Sequence, residues 1–116
     1  MRFSNPYWSL KTKMSALQRW LIVHSILYYE LNEGIVSDKV FDANAYQLVD
    51  MQNSNPEIAK QTEYWYVFND FDGTTGFHLY YGLNKKDKKY LTHIAQHVLG
   101  LNRGGFHEAS KSSNRK

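Results

Sequence analysis

Two tyrosines and two aspartates are spaced so that they could hold a flat, sugar-bearing ligand. Tyr28 and Tyr29 fall at the end of one predicted helix, and Asp38 and Asp42 at the start of the next. The two aspartates are four residues apart and Phe41 lies between them in angle, so all three can face one side of the second helix. Aromatic rings stack on a planar or cationic ring, and carboxylates accept hydrogen bonds from ribose hydroxyls. The alternative is that the tyrosines are half-buried core residues and the aspartates only complement the helix dipole.

Helical spacing and capping residues indicate which elements position these side chains. Ser15 and Gln18 match a capping box and predict a first helix over roughly 15–32. Gly34 is predicted to end that helix as a left-handed residue, and Ser37 to cap the next one.

The second predicted helix continues to about Gln52, and a break follows it. Pro56 is placed to start a short third helix through about Thr62. The two longer helices and the short turn between them predict a helical hairpin that brings the tyrosines and the aspartates to one end.

Beyond residue 62 the pattern changes to aromatic and β-branched runs. Residues 64–68 and 77–81 are predicted strands, and 70–76 the loop between them. Asn84 then caps a last helix, which Gly100 ends. The predicted fold class is therefore α+β, with an N-terminal helical hairpin, a β-hairpin and a C-terminal helix.

The predicted domain organisation follows the same elements. Residues 1–14 form an N-terminal segment and 15–99 a single folded domain, which divides into the helical hairpin over 15–57 and the remainder over 58–99. Residues 100–116 are rich in glycine, serine, asparagine and charge, which predicts a basic flexible tail.

Composition narrows the class of protein. A chain of 116 residues with 16% aromatic residues has room for one modest core built on a few large rings. The chain has no cysteine, which excludes disulfides and thiolate metal sites and makes the cytoplasm the expected location. No apolar run is long enough for a membrane span, and the first residues lack the apolar core of a signal peptide. We therefore expect a soluble protein with no membrane contact.

The net charge of +3 is unevenly distributed. Residues 1–14 hold three basic residues and no acidic one, and residues 100–116 hold four basic residues and one acidic one. Residues 15–99 therefore have a net charge of −3. The basic sequence pI of about 9.1 describes the two ends of the chain, which weakens it as a sign of nucleic-acid binding by the folded part.

A wider pattern runs without a gap through residues 17–57. It consists of Leu21, His24, Tyr28-Tyr29, Ile35, Ser37-Asp38, Phe41-Asp42, Leu48 and Asn55-Pro56. The pattern resembles domain Ia, the small N-terminal helical domain of bacterial NAD-dependent DNA ligases. In those ligases the domain closes over the nicotinamide mononucleotide half of NAD.

The resemblance implies a set of ligand contacts in this chain. By position, Tyr28, Tyr29, Asp38, Phe41 and Asp42 would be the residues on the nicotinamide side of bound NAD or nicotinamide mononucleotide. Phe41 departs from the family pattern, which has a tyrosine here, so the ring is kept and a hydroxyl is lost.

Ligase catalysis by this chain alone is excluded. An adenylation domain needs a lysine nucleophile in a Lys-x-Asp-Gly motif, and the nearest match, Asp70-Phe-Asp-Gly73, has an aspartate in place of the lysine. We therefore expect a non-catalytic module, not an enzyme, that binds NAD or nicotinamide mononucleotide weakly or presents that surface to a protein partner. Only half of the dinucleotide would be held, so high affinity is not expected.

Two other functions remain open from the sequence. The chain could be a protein-interaction adaptor or inhibitor, of the kind that phages and mobile elements encode, with a protein partner that the sequence does not identify. It could also bind nucleic acid through its basic tail and a lysine cluster, with surface tyrosines stacking on bases. The cluster consists of Lys85, Lys86, Lys88 and Lys89, and the tyrosines are Tyr64, Tyr66, Tyr80 and Tyr81. The competing interpretation is a solvated lysine face and a hairpin packed on the helices.

No metal site is predicted. Residues 70–74 match the start of a calcium loop, but Tyr81 occupies the twelfth position, where a bidentate glutamate is required. His93 and His97 have a zinc-chelating spacing, but the sequence shows no third ligand, and two histidines on a polar helix face are the better interpretation.

Overall fold

The computed structural model describes residues 8–102, and about 70% of these residues are helical. In chain order the α-helices are α1 (Leu10–Ser25), α2 (Asp38–Ser54), α3 (Pro56–Ala59), α4 (Trp65–Phe68) and α5 (Lys85–Asn102). A π-helical segment, Ile26–Glu30, continues α1, and a 3-10 turn, Tyr80–Gly82, precedes α5. There is no β-strand between residues 8 and 102.

The predicted β-hairpin is therefore wrong, and so is the α+β fold class. In the first predicted strand Tyr64, Val67 and Phe68 are buried while Tyr66 is exposed, which is the spacing of a helix and not the alternation of a strand. An isolated two-stranded hairpin is marginally stable in water, because strand-forming residues need neighbours on a pleated surface. Here Tyr64 and Phe68 are buried in the core between helices instead.

The second predicted strand folds as turns. The N–H of Leu79 donates to the carbonyl of Gly76 at 3.1 Å, and the N–H of Gly82 to the carbonyl of His78 at 3.2 Å. Leu79 is buried, while the aromatic residues Phe77 and Tyr81 on either side of it are exposed. Phe77 and Tyr81 are therefore surface residues on a series of turns, and they do not belong to a sheet.

The core forms around α1, which packs against both α2 and α5. The fully buried apolar side chains of α1 recur at helical spacing and form an apolar stripe, and over the last part of the helix, residues 21–25, every residue is buried. The π-helical segment extends that stripe with two further buried residues. The fully buried aliphatic and thioether side chains of this stripe are Met14, Leu17, Leu21, Ile22, Ile26 and Leu27.

The first helix begins earlier than predicted. Ser9 is its N-cap, and the Ser9 hydroxyl accepts a hydrogen bond from the N–H of Thr12 at 3.2 Å. Ser15 instead uses its hydroxyl to accept the N–H of Glu63 at 3.2 Å. The predicted capping box at Ser15 and Gln18 is therefore wrong, because both side chains serve contacts with residues far along the chain.

Gln18 is buried at the centre of a polar network. Its Nε2 donates to Oε1 of Gln52 at 3.2 Å and to Oγ1 of Thr62 at 2.8 Å, and its Oε1 accepts the N–H of Tyr64 at 3.1 Å. The network ties α1 to α2 and to the segment that follows α3. A buried amide satisfied in this way fixes the relative placement of the elements it joins.

The turn after the π-helical segment differs in detail from the prediction. Asn32 takes the left-handed conformation, with φ of 59°, and Gly34 does not. Asparagine tolerates this region because its short polar side chain bonds locally. A Cβ at Gly34 would lie 2.8 Å from Cδ1 of Tyr28, so glycine is needed there for close approach to that ring.

Two predicted caps are confirmed. The Ser37 hydroxyl accepts the N–H of Val40 at 3.1 Å, and Oδ1 of Asn84 accepts the N–H of Asp87 at 2.8 Å. The predicted stop at Gly100 is wrong, since α5 continues to Asn102, and α3 ends at Ala59.

The domain boundaries stay predictions, and most of the predicted tail, from residue 103 onward, lies outside the described residues. Among residues 8–102 no helix combines the length and the apolar character that crossing a membrane requires.

Candidate functional site

A cleft with a volume of about 230 Å³ opens between the end of the π-helical segment, the start of α2 and the loop at residues 72–76. All of the residues predicted to contact a nicotinamide nucleotide line it: Tyr28, Tyr29, Asp38, Phe41 and Asp42. The remaining lining residues are His24, Ser25, Gly34, Val36, Thr74, Thr75 and Gly76. The fold therefore brings the predicted site residues together in one place.

The π-helical segment explains how two adjacent tyrosines both reach this surface. Ile26 and Leu27 are fully buried, whereas Tyr28 and Tyr29 are exposed and lie edge to face, 4.8 Å apart between ring centroids. A π-helical turn is wider than an α-helical one, which changes the direction of the side chains that follow it. Such local departures from α-helix are frequent at functional sites.

The two carboxylates give the cleft a negative wall. Asp38 and Asp42 lie in the first turns of α2, and both are exposed. Neither forms an ion pair with another of residues 8–102. Both charges are therefore available to a cationic ligand, and the N-terminal end of α2 partly offsets their mutual repulsion.

Phe41 forms the floor of the cleft. Its ring is half-buried, 6.2 Å from the ring of Trp20. A Cβ at Gly76 would lie 2.7 Å from Cζ of Phe41 and 3.1 Å from Cβ of Ser25. The loop therefore packs closely on the para end of the Phe41 ring, and glycine at position 76 is what permits this approach.

The wall formed by residues 72–76 was not predicted as part of the site. Oδ1 of Asp72 accepts the N–H of Thr74 at 3.0 Å and its hydroxyl at 2.7 Å, and these bonds lower the pKa of Asp72. The Thr75 hydroxyl lies 3.3 Å from the Tyr29 hydroxyl. In the sequence, Asp72-Gly73 is a turn signal and predicts a loop. It does not predict which helix end that loop contacts.

A second feature extends away from the cleft. We define the aromatic row as Tyr28, Tyr29, Phe77, Tyr81 and Tyr80, in order of contact. Beyond Tyr29, successive ring centroids are 5.3, 6.0 and 5.3 Å apart. The row thus runs without a break from the cleft to the turn that precedes α5.

The predicted lysine cluster lies at the far end of this row. Lys85, Lys86, Lys88 and Lys89 line one shallow depression together with Tyr80 and Tyr90. The Nζ of Lys88 is 5.3 Å from the centroid of the Tyr80 ring.

Two of the tyrosines that we expected to stack on bases belong elsewhere. Tyr64 is 1% exposed and is part of the core, and burial raises the pKa of its hydroxyl. The Tyr66 hydroxyl donates to Asp87 and accepts the N–H of Asn84, so it helps to hold the start of α5.

Within the described part of the chain, no group of three or more histidine, cysteine, aspartate or glutamate side chains is placed to hold a metal ion. His93 and His97 are both exposed on α5. Comparison of the chain with known protein families, with curated proteins and with solved structures finds no match. The resemblance to ligase domain Ia stays a prediction from the sequence pattern.

Proposed function

We propose that this chain is a non-catalytic binding module whose cleft takes the nicotinamide and ribose of nicotinamide mononucleotide, free or as half of NAD. The observation that supports the proposal is the convergence of Tyr28, Tyr29, Asp38, Phe41 and Asp42 on one cleft. These residues come from two separate helix ends, so their sequence spacing alone does not make them neighbours.

The chemistry of the cleft suits a flat cation that bears hydroxyl groups. The exposed rings of Tyr28 and Tyr29 offer a surface for the pyridinium, and the charges of Asp38 and Asp42 favour its positive charge. Carboxylate oxygens accept hydrogen bonds from ribose hydroxyls. A volume of about 230 Å³ is below the range of about 300–1,000 Å³ that drug-sized ligands occupy. It suits the ring with part of the ribose, and it leaves the phosphate in solvent.

The expected affinity is low. Nicotinamide mononucleotide has about 22 non-hydrogen atoms, and at about 0.3 kcal/mol per atom its binding free energy reaches at most about −7 kcal/mol. That limit corresponds to a dissociation constant of about 10 μM. Because the phosphate is not enclosed and the site is open on one side, we expect a value between about 0.1 and a few millimolar.

The test is an NMR titration of the full chain, in which backbone amide shifts are followed as ligand is added. Nicotinamide mononucleotide and NAD should shift the amides of Asp38 and Asp42 along one saturable curve. The reduced form of the mononucleotide, which has a neutral ring of nearly the same size, should bind about two- to fivefold more weakly, because a cation near exposed carboxylates gains about 0.5–1 kcal/mol.

A matched pair of variants assigns the effect to the cleft. Asp42→Asn keeps the shape of the side chain and should weaken binding about fivefold, whereas Asp50→Asn, an exposed carboxylate further along α2, should not. The proposal fails if millimolar ligand leaves the amides of Asp38 and Asp42 unmoved, or if both variants bind alike.

The protein-interaction alternative stays a prediction. In its favour is an apolar groove of about 810 Å³ between α1, the start of α2 and the end of α5, whose lining includes Trp20, Ile35, Val40 and Val98. An apolar groove selects no particular partner, whereas the rings and carboxylates of the cleft select a flat cation. We therefore prefer the nucleotide as the ligand.

A further inference from the structure

The aromatic row places large apolar side chains next to one another on the surface of the protein. Phe77 and Tyr81 lie outside the lining of the cleft, and both are exposed. Large apolar rings in one continuous exposed group mark a binding surface more often than a chance feature of a soluble domain. Because the rings meet largely edge to face, the contacts among them leave ring surface open to a planar partner.

Positive charge adjoins the row at one end. Residues 85–89 have a net charge of +3, from four lysines and Asp87. Tyr80 belongs to both features, since its ring contacts that of Tyr81 edge to face and also lies beneath the Nζ of Lys88. Rings and lysines therefore form one surface, which we call the ring-lysine surface.

Acidic groups limit the direction in which an anionic partner can lie. The Glu30 carboxylate is beside the Tyr81 hydroxyl, and Asp38 and Asp42 are at the cleft end of the row. A phosphate backbone would be repelled at the cleft end and by Glu30 beside the Tyr81 hydroxyl, and it would be attracted at the lysine end.

We propose that the ring-lysine surface binds a single-stranded nucleic acid, with bases stacked on the exposed rings of Phe77 and Tyr81 and phosphates contacting the lysines. A row of exposed rings beside a basic depression is the combination that binds single strands without reading their sequence. A duplex is disfavoured because its base faces are covered by stacking within the helix. An acidic peptide would satisfy the lysines but would leave the rings without planar partners.

The proposal has a quantitative consequence in salt. Each phosphate contact on a single strand contributes about −0.7 to the slope of log K against log salt concentration. With all four lysines in contact the slope is about −2.8, so affinity falls about fiftyfold between about 50 and about 200 mM salt. Replacing Lys88 and Lys89 by glutamine should reduce that loss to about sevenfold.

The experiment is fluorescence anisotropy with the full chain and a labelled thymidine oligonucleotide of about 12 nucleotides, a length within the range that such surfaces cover. A uridine oligonucleotide of the same length and a DNA duplex are run in parallel. Binding of either single strand through these residues supports the proposal, and the duplex should bind at least about fivefold more weakly.

A matched pair of tyrosines tests the stacking. Tyr81→Leu should weaken binding by at least about fivefold, since stacking of one base on one ring changes affinity by about five- to 150-fold. Tyr46→Leu is the control, because Tyr46 is on α2, belongs neither to the row nor to the depression, and is 56% exposed, as is Tyr81. The charge control for Lys88→Gln/Lys89→Gln is Lys11→Gln/Lys60→Gln, which alters two exposed lysines away from α5.

The outcomes are decisive in either direction. The proposal is overturned by the absence of binding to both single strands at about 50 mM salt, or by a duplex that binds as tightly. It is also overturned if Tyr81→Leu and Tyr46→Leu behave alike, or if the lysine pair leaves the salt slope unchanged. Circular dichroism of each variant establishes that it is folded. Neither Asp38 nor Asp42 is altered in these variants, so failure here is distinguishable from failure of the nucleotide proposal.

Discussion

The buried amide of Gln18 allows the energetic contribution of the polar contacts inside this small core to be measured. Methionine has nearly the same length and volume, so Gln18→Met removes hydrogen bonds without leaving a large cavity. The variant deprives the N–H of Tyr64 and Oε1 of Gln52 of the partner that each has in the network. Thr62 is affected less, since its hydroxyl still donates to the carbonyl of Ala59 at 2.6 Å.

The expected loss follows from those two groups. An unsatisfied buried donor or acceptor costs about 1–3 kcal/mol, so two of them cost about 2–6 kcal/mol. The added apolar burial of the methionine offsets part of this, and we expect the free energy of unfolding to fall by about 3 kcal/mol. That is a large fraction of the stability of about 5–15 kcal/mol that is typical of a folded domain.

The assay is urea unfolding followed by tryptophan fluorescence, with the slope of the transition checked for each variant. Gln61→Met is the matched control, because Gln61 is exposed and bonds only locally, its Nε2 donating to the carbonyl of Glu57 at 3.2 Å. This control should change stability by less than about 0.5 kcal/mol.

A double-mutant cycle then separates the Gln18 amide from its partner. Thr62→Val removes one acceptor of the network, and with Gln18→Met it should give a coupling energy of about 0.5–3 kcal/mol. A loss below about 1 kcal/mol for Gln18→Met, or additive single and double variants, would refute the inference that this network fixes the core.

Three further predictions concern the loop, a helix end and pH. Phe41→Tyr should destabilise the fold by about 1–3 kcal/mol, since the added hydroxyl overpacks the contact with the loop; unchanged thermal unfolding would contradict this. Gly73→Ala should lower stability by about 1–2 kcal/mol because its φ is +87°, whereas Gly100→Ala, with no atom near the added Cβ, should raise it by about 0.5 kcal/mol; equal signs in urea unfolding would disprove the pair. Burial and the hydrogen bond to Asp87 raise the pKa of Tyr66 to about 12, above its ordinary value of about 10. Stability present below pH 10 should therefore be lost as pH rises towards 12; because Tyr66 is 44% exposed the loss is below about 1 kcal/mol, and Tyr66→Phe should remove it.

Local interactions account for what the sequence predicted correctly. Ser37 and Asn84 cap helices through hydrogen bonds that reach three residues ahead, so the signal lies within the same short segment. The placement of Asp38 and Asp42 on α2 follows from the same local rule. These features depend on the period of the helix and on little else.

Residues 64–81 show why the remainder could not be predicted. Tyr64 and Phe68 have high strand propensity, but that propensity measures the fit of a side chain to a sheet, and residues 8–102 contain no sheet for them to join. Gln18 is a second residue whose role depends on distant parts of the chain. Its position three residues after a serine resembles a cap, while its partners are 34 to 46 residues further along the chain.

The cleft is built partly by local helix signals, which the sequence predicts, and partly by contacts between distant residues, which it does not. Phe41 lies where the two parts meet. The helical hairpin that supplies the tyrosines and carboxylates is local, whereas the loop that closes the other side reaches Tyr29 from Thr75, 46 residues away. At Phe41 the sequence pattern lacks a hydroxyl, and in the structure the loop lies against the very ring atom that would carry it. The same loop brings Thr74 and Thr75 into the lining of the cleft. The sequence therefore predicts the ring of Phe41 as part of the site, whereas the loop that packs against this ring is placed by contacts between residues far apart in the chain.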